Sequence, residues 1–179
     1  MSSDWQNIQS KSDLKKFIEM DLKARGQSRL PGLYQVRKPI IYFTVLLRKA
    51  EYLENTKHGY LGKLRCKFLK LRVKRLGAKL GFSVPLNTCG PGLYLVHWGS
   101  VVISSLARIG PNARIHSCVN ISGAPVIGEH VYLGPGAIVV GDITLGDHVT
   151  VGANSVAATS FPDKVTVLGN PARVVKKHA

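Results

Sequence analysis

The sequence predicts a mainly β protein in which a parallel β-helix of six-residue repeats follows an α-helical region. Aliphatic residues recur at every sixth position through most of the second half of the chain, whereas dense charges and apolar residues at helical spacing fill the first half. The composition changes near residues 81–91. We therefore predict a basic α-helical N-terminal region over 1–84 and a β-helix domain with a C-terminal tail over 85–179.

The repeat is the strongest signal in the chain. Its members are Ile103, Ile109, Ile115, Ile121, Ile127, Leu133, Val139, Leu145, Val151 and Ala157. An α-helix cannot bury residues at a period of six. Each hexad predicts one short strand and one turn, three hexads close a triangular coil, and stacked coils bury the aliphatic column.

The first half predicts three helices. One begins with Ser12 as its cap and runs to about Arg25, a second covers residues 40–54, and a third covers residues 61–80. The third helix places one group of apolar residues on a single face and Lys or Arg on the other; the apolar group is Leu61, Leu64, Phe68, Leu71 and Leu76.

The charge of the chain indicates an anionic partner. Lys and Arg number 25 against 10 Asp and Glu, a net charge of +15, and residues 55–128 contain no acidic residue. The basic helix over 61–80 has three interpretations: a solvated helix packed on the β-helix through its Leu/Phe face, a contact with an anionic membrane or acidic glycan, or nucleic-acid binding. Nucleic acid is the least favoured, because no recognisable nucleic-acid module is present.

The cellular location follows from three absences in the sequence. The three cysteines lack paired or metal-type spacing, the N-terminus lacks a signal-peptide pattern, and the longest apolar run, residues 39–47, is shorter than the ~20 residues that span a bilayer. We expect a cytoplasmic protein, with a possible peripheral position at the inner face of the membrane.

Several segments together resemble the hexapeptide acyltransferases. They are GLYLVHWGSVVI at 92–103, ARIG at 107–110, VIGEHVYLG at 126–134, GANSV at 152–156 and GNPAR at 169–173. The similarity covers roughly the last half of the chain and is greatest to the serine acetyltransferase-like branch, including members that acetylate capsular polysaccharide or exopolysaccharide. The resemblance implies a left-handed β-helix, a homotrimer, and acetyl-CoA bound between neighbouring subunits, with no metal.

Acetyl transfer from a thioester to a hydroxyl needs a base, donors for the developing oxyanion and a clamp on CoA. His97 aligns with the catalytic histidine of the family, and it lies where the six-residue period slips, which predicts a bulge or short loop at residues 97–100. His116 is the second catalytic candidate, since it occupies a repeat position where most residues are small. Tyr94 and Trp98, which flank His97, are the substrate-binding candidates.

The CoA-binding candidates come from the resemblance. The family binds CoA through two successive glycine-rich turns, which here correspond to Gly134, Gly136 and Ala137 and to Gly152, Ala153, Asn154 and Ser155. Pro135, in the first turn, lacks an N–H donor. Lys164, Arg173 and Lys176 are candidates for the CoA phosphates, because phosphate groups favour Lys and Arg.

This chain departs from the serine enzymes at three places. Their substrate-binding aspartate is Val96 here, and their histidine-orienting aspartate falls on Phe82. Their Arg-His loop, which binds the serine carboxylate, would follow Gly123, where this chain passes directly to Ala124-Pro125. These departures predict an uncharged acceptor, most simply a saccharide hydroxyl.

The same departures leave His97 without an obvious orienting carboxylate. A backbone carbonyl, Asp13 or Asp21 of the N-terminal region, or a residue of a neighbouring subunit would have to supply it.

Three other functions compete with a saccharide O-acetyltransferase. The first is a serine O-acetyltransferase. The second is a β-helix metal hydratase, which is disfavoured because the six histidines include no closely spaced pair. The third is a non-catalytic trimeric scaffold.

Overall fold

The computed structural model describes residues 6–178 and contains four helices followed by short strands. The helices are α1 (Lys11–Lys23), α2 (Tyr34–Arg37), α3 (Pro39–Asn55) and α4 (Tyr60–Leu80). The strands are β1 (Phe82–Ser83), β2 (Tyr94–Leu95), β3 (Val101–Ile103), β4 (Arg108–Ile109), β5 (Arg114–Ile115), β6 (Asn120–Ile121), β7 (Val126–Ile127), β8 (Tyr132–Leu133), β9 (Ile138–Val139), β10 (Thr144–Leu145), β11 (Thr150–Val151), β12 (Val156–Ala157), β13 (Val165–Gly169) and β14 (Ala172–Lys177).

The strands form the three faces of a parallel β-helix. Sheet A has the order β1-β3-β6-β9-β12, sheet B has β4-β7-β10, and sheet C has β2-β5-β8-β11-β13-β14. Pairing runs between residues eighteen apart, as in Ile103 with Ile121 and Ile121 with Val139, so one coil contains three hexads. The aliphatic column is buried along its whole length, which confirms the fold class predicted from the period.

Turns between the strands place one residue in the left-handed region at a fixed position. Asn112, His130 and His148 have φ values of 58°, 55° and 57° and stack along one corner. The rings of His130 and His148 lie 4.8 Å apart and nearly parallel, and Asn112 Nδ2 lies 3.2 Å from His130 Nε2. The stacking follows from their eighteen-residue spacing, which places the three residues at the same position of successive coils.

Helix α1 begins two residues earlier than the sequence predicts. Ser10, not Ser12, is the cap: its hydroxyl accepts from the Asp13 N–H at 3.1 Å, and the Asp13 carboxylate accepts from the Ser10 N–H at 2.9 Å. This reciprocal pair satisfies two N–H groups at the helix start. The short helix α2 lies in the segment that the sequence left without structure.

Helix α4 packs through a different face from the predicted one. Cys66, Val73 and Gly77 are its buried residues, and a Cβ on Gly77 would lie 2.6 Å from the Phe82 carbonyl oxygen, so only glycine permits this approach to β1. Of the predicted Leu/Phe face, only Leu76 is partly buried; Leu61, Leu64, Phe68 and Leu71 are exposed. The interpretation that α4 packs on the β-helix through that face is therefore wrong.

A buried ionic network joins the helices to the β-helix. Arg48 of α3 is fully buried and contacts the Asp21 carboxylate through Nε at 2.8 Å and the Glu51 carboxylate through Nη1 at 3.0 Å. The same guanidinium donates to the carbonyl oxygens of Cys89 and Gly90 at 2.8 and 2.7 Å. Burial works against the charged form, but the two carboxylates outweigh it and raise the pKa of Arg48.

Both carboxylates of this network also hold the chain that leads into the first coils. Asp21 Oδ1 accepts from the Leu93 N–H at 2.8 Å, and Glu51 Oε1 accepts from the Asn87 N–H at 2.9 Å. Burial raises the pKa of Glu51, against the lowering effect of Arg48. The network therefore fixes α1, α3 and residues 87–93 relative to one another.

The C-terminal segment, predicted as a tail, is a β-hairpin. Strands β13 and β14 pair antiparallel around Asn170-Pro171, and β13 continues sheet C by pairing with β11. Its buried residues Val165, Val167 and Ala172 extend the core and close the end of the β-helix.

Replacement of Arg48 by methionine should lower the free energy of unfolding by about 3–5 kcal/mol, because Asp21 and Glu51 would remain buried without their cation. Urea unfolding followed by circular dichroism measures this. Lys49→Ala, at the exposed neighbouring position on α3, is the matched control and should change stability by less than about 0.5 kcal/mol. Equal effects of the two substitutions would contradict the importance of the network.

Candidate functional site

One edge of sheet C brings the predicted catalytic and CoA-binding residues into a single row. Val96, His116, Gly134 and Gly152 each follow a strand of this sheet, and each donates its N–H to the next coil at 2.8–3.0 Å. We call this row the sheet C edge. Since neighbouring strands lie about 4.8 Å apart, the row extends for roughly 14 Å.

His97 lies beside this row in an exposed loop. Residues 96–100 separate β2 from β3, and Gly99 has a φ of 132°. Gly99 N donates to the Leu80 carbonyl and Val101 N donates to the Gly81 carbonyl, at 2.9 and 2.8 Å, so the end of α4 supports the loop. The predicted irregularity at residues 97–100 is confirmed.

The imidazole of His97 has no hydrogen-bond partner among residues 6–178; the ring of His116 lies 6.3 Å away. Asp13 caps α1, and Asp21 binds Arg48 and the Leu93 N–H. The prediction that one of these aspartates, or a backbone carbonyl, orients His97 is therefore wrong for the described chain. A residue from a neighbouring subunit stays a prediction.

His116 presents a nitrogen without a partner. Its Nε2 is buried and makes no hydrogen bond within residues 6–178, and its ring lies 5.0 Å from that of Tyr132. Burial lowers the pKa of His116, and the positive charges of Arg114 and His97 lower it further. The ring is therefore neutral at neutral pH and can make one more hydrogen bond.

Tyr94 and Trp98 line the same cavity, of about 410 Å³, between the helices and the first coil. The Tyr94 ring lies between two guanidinium groups, those of Arg25 at 4.9 Å and Arg114 at 5.3 Å. Trp98 is 65% exposed. Sequence analysis missed Arg25, because only the packing of α1 against β2 brings this arginine to the site.

The two glycine-rich turns stack on each other. Asn154 N donates to the Pro135 carbonyl at 2.9 Å, and a Cβ on Gly136, whose φ is 70°, would collide with the Asn154 side chain. The N–H groups of Gly134, Gly136, Ala137, Gly152, Asn154 and Ser155 all donate to carbonyls within the chain. Ala153 is exposed, and its N–H has no such partner among residues 6–178.

The Ser155 hydroxyl does not face the turn surface. The residue is 1% exposed, and its Oγ accepts from the Gly169 N–H at 3.0 Å. The hydroxyl connects the turn before β12 to the C-terminal hairpin. A contact of the Ser155 backbone with CoA stays a prediction.

The three phosphate candidates belong to the hairpin and are exposed. Lys164 precedes β13 in the left-handed conformation with a φ of 56°, and Arg173 and Lys176 lie on β14, opposite Leu168 and Thr166. Their role toward CoA stays a prediction.

No three His, Cys, Asp or Glu side chains within residues 6–178 gather into a possible metal site. Over the same range, every helix is too short or too polar to cross a bilayer.

The class of protein is defined by its repeats. Residues 124–158 match the family model described as bacterial transferase hexapeptide (six repeats). The chain thus contains hexapeptide-transferase repeats, in agreement with the fold.

Several relatives that the chain resembles are named serine acetyltransferase. The chain is 32% identical over 177 residues to the serine acetyltransferase of Buchnera aphidicola, covering 89% of this chain and 64% of the relative. It is 38% identical over 96 residues to the serine acetyltransferase of Staphylococcus xylosus, covering 49% of this chain and 44% of that relative. The solved structure of Neisseria gonorrhoeae serine acetyltransferase in complex with serine is 27% identical, with a TM-score of 0.72 and coverage of 90% of this chain and 69% of that one.

These relatives contradict the predicted saccharide O-acetyltransferase. They bear the name of the alternative, serine acetyltransferase. The prediction rested on three local departures from the serine enzymes, at Val96, at Phe82 and after Gly123, and the similarity to serine acetyltransferases along 89% of the chain outweighs them. The chain spans 44% and 64% of the two curated relatives, so its own activity is inferred below.

Ala153→Pro should raise the KM for acetyl-CoA about fivefold, because it removes the free N–H, which corresponds to about 1 kcal/mol. Proline occupies the equivalent position 135 in the preceding coil, so the turn accommodates the ring. Steady-state kinetics with circular dichroism check this, and Ala153→Ser, which keeps the N–H, is the control. An unchanged KM would remove Ala153 from the CoA site.

Proposed function

We propose that this chain is an acetyl-CoA-dependent serine O-acetyltransferase. The observation that carries the proposal is the sheet C edge, which places the His97 loop, His116 and both glycine-rich turns in one continuous row. The similarity to serine acetyltransferases along 89% of this chain supports the choice of acceptor. A linear pantetheine arm fits along such a row, with the thioester at the histidine end.

His97 acts as the general base in this proposal. It takes the proton of the serine hydroxyl while the oxygen attacks the thioester carbonyl. The C–O bond forms, the C–S bond breaks, and the proton passes from His97 to the departing CoA sulfur. His116, neutral and with an unpaired nitrogen, donates a hydrogen bond from its ring N–H to the developing oxyanion.

We also propose that the working unit is a homotrimer. Sheet A exposes aliphatic side chains on its outer face, including Val102, Ile138 and Val140, which gain from burial against a second copy. A neighbouring subunit would then supply the group that orients His97. Hexapeptide-repeat transferases are usually trimers, and the resemblance points to the same assembly.

His97→Ala should lower kcat for L-serine by at least about 100-fold, because a positioned base contributes that much to proton transfer. Release of CoA thiol from acetyl-CoA, with L-serine as acceptor, measures the rate. His130→Ala, at an exposed corner of the β-helix, is the matched control and should retain activity.

The assay also tests the proposed acceptor. Thiol release by the wild-type protein should depend on L-serine. The absence of L-serine turnover would contradict the proposed function, and full activity of His97→Ala would contradict the mechanism.

Helix α4 supports a second proposal, a peripheral contact with an anionic membrane. Its exposed apolar stripe (Leu61, Leu64, Phe68 and Leu71) points away from the buried face at Cys66, Val73 and Gly77. Basic residues border the stripe on both sides, and the helix contains no acidic residue. A helix of this kind lies in the plane of an anionic lipid surface.

The membrane contact predicts that the protein co-sediments with vesicles containing anionic phosphatidylglycerol and not with neutral phosphatidylcholine vesicles. Phe68→Glu should reduce binding at least about tenfold, because it places a charge in the apolar stripe. Leu106→Glu, an exposed apolar position on the β-helix, is the control. If the protein self-associated through α4 and did not bind vesicles, the membrane contact would be contradicted. The apolar stripe would then contact a second copy of the chain.

A further inference from the structure

The cavity beside the His97 loop is lined by cations from the helical region. Arg25 lies at the end of α1, Arg37 ends α2, and Lys38 precedes α3. Val96 and Trp98, the two chain neighbours of His97, form part of the opposite wall. No acidic side chain of residues 6–178 lines this cavity. We call it the junction cavity.

Arg25 is a largely buried cation without an anionic partner. Its Nη1 donates to the Leu95 carbonyl at 2.9 Å, and its guanidinium lies over the Tyr94 ring. Its Nε and Nη2 are buried and make no hydrogen bond within residues 6–178. Burial lowers the pKa of Arg25, and the opposing effects of Asp21 and Tyr94 do not outweigh it.

An unpaired buried charge is costly, and native proteins keep one where a partner arrives to neutralise it. Asp21 cannot act as that partner, because both of its oxygens already bind Arg48 and one also binds the Leu93 N–H. A bound anion would satisfy the charge.

The start of α3 adds to the positive potential of the junction cavity. Pro39, Ile40 and Ile41, the first residues of this 17-residue helix, line it, and no side chain caps the helix within the described range. The first-turn N–H groups of a helix lack intrahelical partners and favour negative charge. Arg37 and Lys38 are exposed at the mouth and can reach an entering anion.

We infer that the junction cavity binds the carboxylate of the amino-acid acceptor and that Arg25 determines the preference for a charged acceptor. The inference rests on the proposed function. Val96 and Trp98 of the cavity wall are the two chain neighbours of His97, so we place the hydroxyl of an acceptor held here toward the His97 loop. The cavity then replaces the Arg-His loop that this chain lacks after Gly123.

The test compares L-serine with L-serinamide, in which an uncharged amide replaces the carboxylate. Arg25→Gln should lower kcat/KM for L-serine about 10- to 100-fold, as expected for loss of a charged hydrogen-bonding partner, and change it less than about threefold for L-serinamide. Arg37→Gln, at the exposed mouth, should shift the selectivity in the same direction by a smaller factor. Arg29→Gln, an exposed arginine outside the cavity, is the matched control.

The outcomes separate this inference from the proposed function. Absence of L-serine turnover in the wild-type protein overturns the proposed function. With an active wild type, equal losses for the two acceptors in both variants overturn the carboxylate site. If the variants raise the KM for acetyl-CoA and leave the kinetics with both acceptors unchanged, the bound anion is a CoA phosphate. That result also overturns the carboxylate site. If Arg25→Gln fails to fold, the selectivity of Arg37→Gln decides.

Discussion

The ion pairs of Arg48 are the constraint on which the rest of the structure depends. A guanidinium that is fully buried must have its charge and its donors satisfied inside the protein, and here two carboxylates and two backbone carbonyls do so. Those partners come from α1, α3 and the segment before β2. The helices are therefore held to the β-helix at residues 87–93, the segment that leads through β2 into the His97 loop.

Stacking of the coils supplies the second requirement of the site, a straight row of backbone. Each coil repeats the hydrogen-bond register of the one before, so residues eighteen apart share a position. Differences at that position then become chemical differences along the row: an imidazole at His116 is followed by glycine at Gly134 and Gly152. The first coil departs from this register between β2 and β3, and the resulting loop exposes His97.

The sequence contained enough information for the β-helix and the position of its irregularity, because a period of six reports burial directly. It could not identify the packed face of α4. That face uses Cys66, Val73 and Gly77, whose small volumes fit the approach to α3 and β1, whereas the larger and more hydrophobic residues lie outside. A prediction from hydrophobicity alone therefore chose the wrong face of α4 as the packed one.

The proposed acceptor site could not be predicted from sequence for a related reason. Arg25, Arg37 and Tyr94 are far apart in the chain and meet only through the packing that Arg48 imposes. The missing Arg-His loop was visible in the sequence, but the cluster of cations that we propose in its place, Arg25, Arg37 and Lys38, was not. The neutral ring of His116 likewise depends on burial, which local sequence does not report.

The central claim is that the helical region and the first coils of the β-helix together form the acceptor site. A crystal structure of the protein with CoA and L-serine tests it most directly. We predict the serine hydroxyl within hydrogen-bond distance of a His97 ring nitrogen and the carboxylate in the junction cavity beside Arg25. A carboxylate bound only by β-helix residues, with the junction cavity empty, would contradict it.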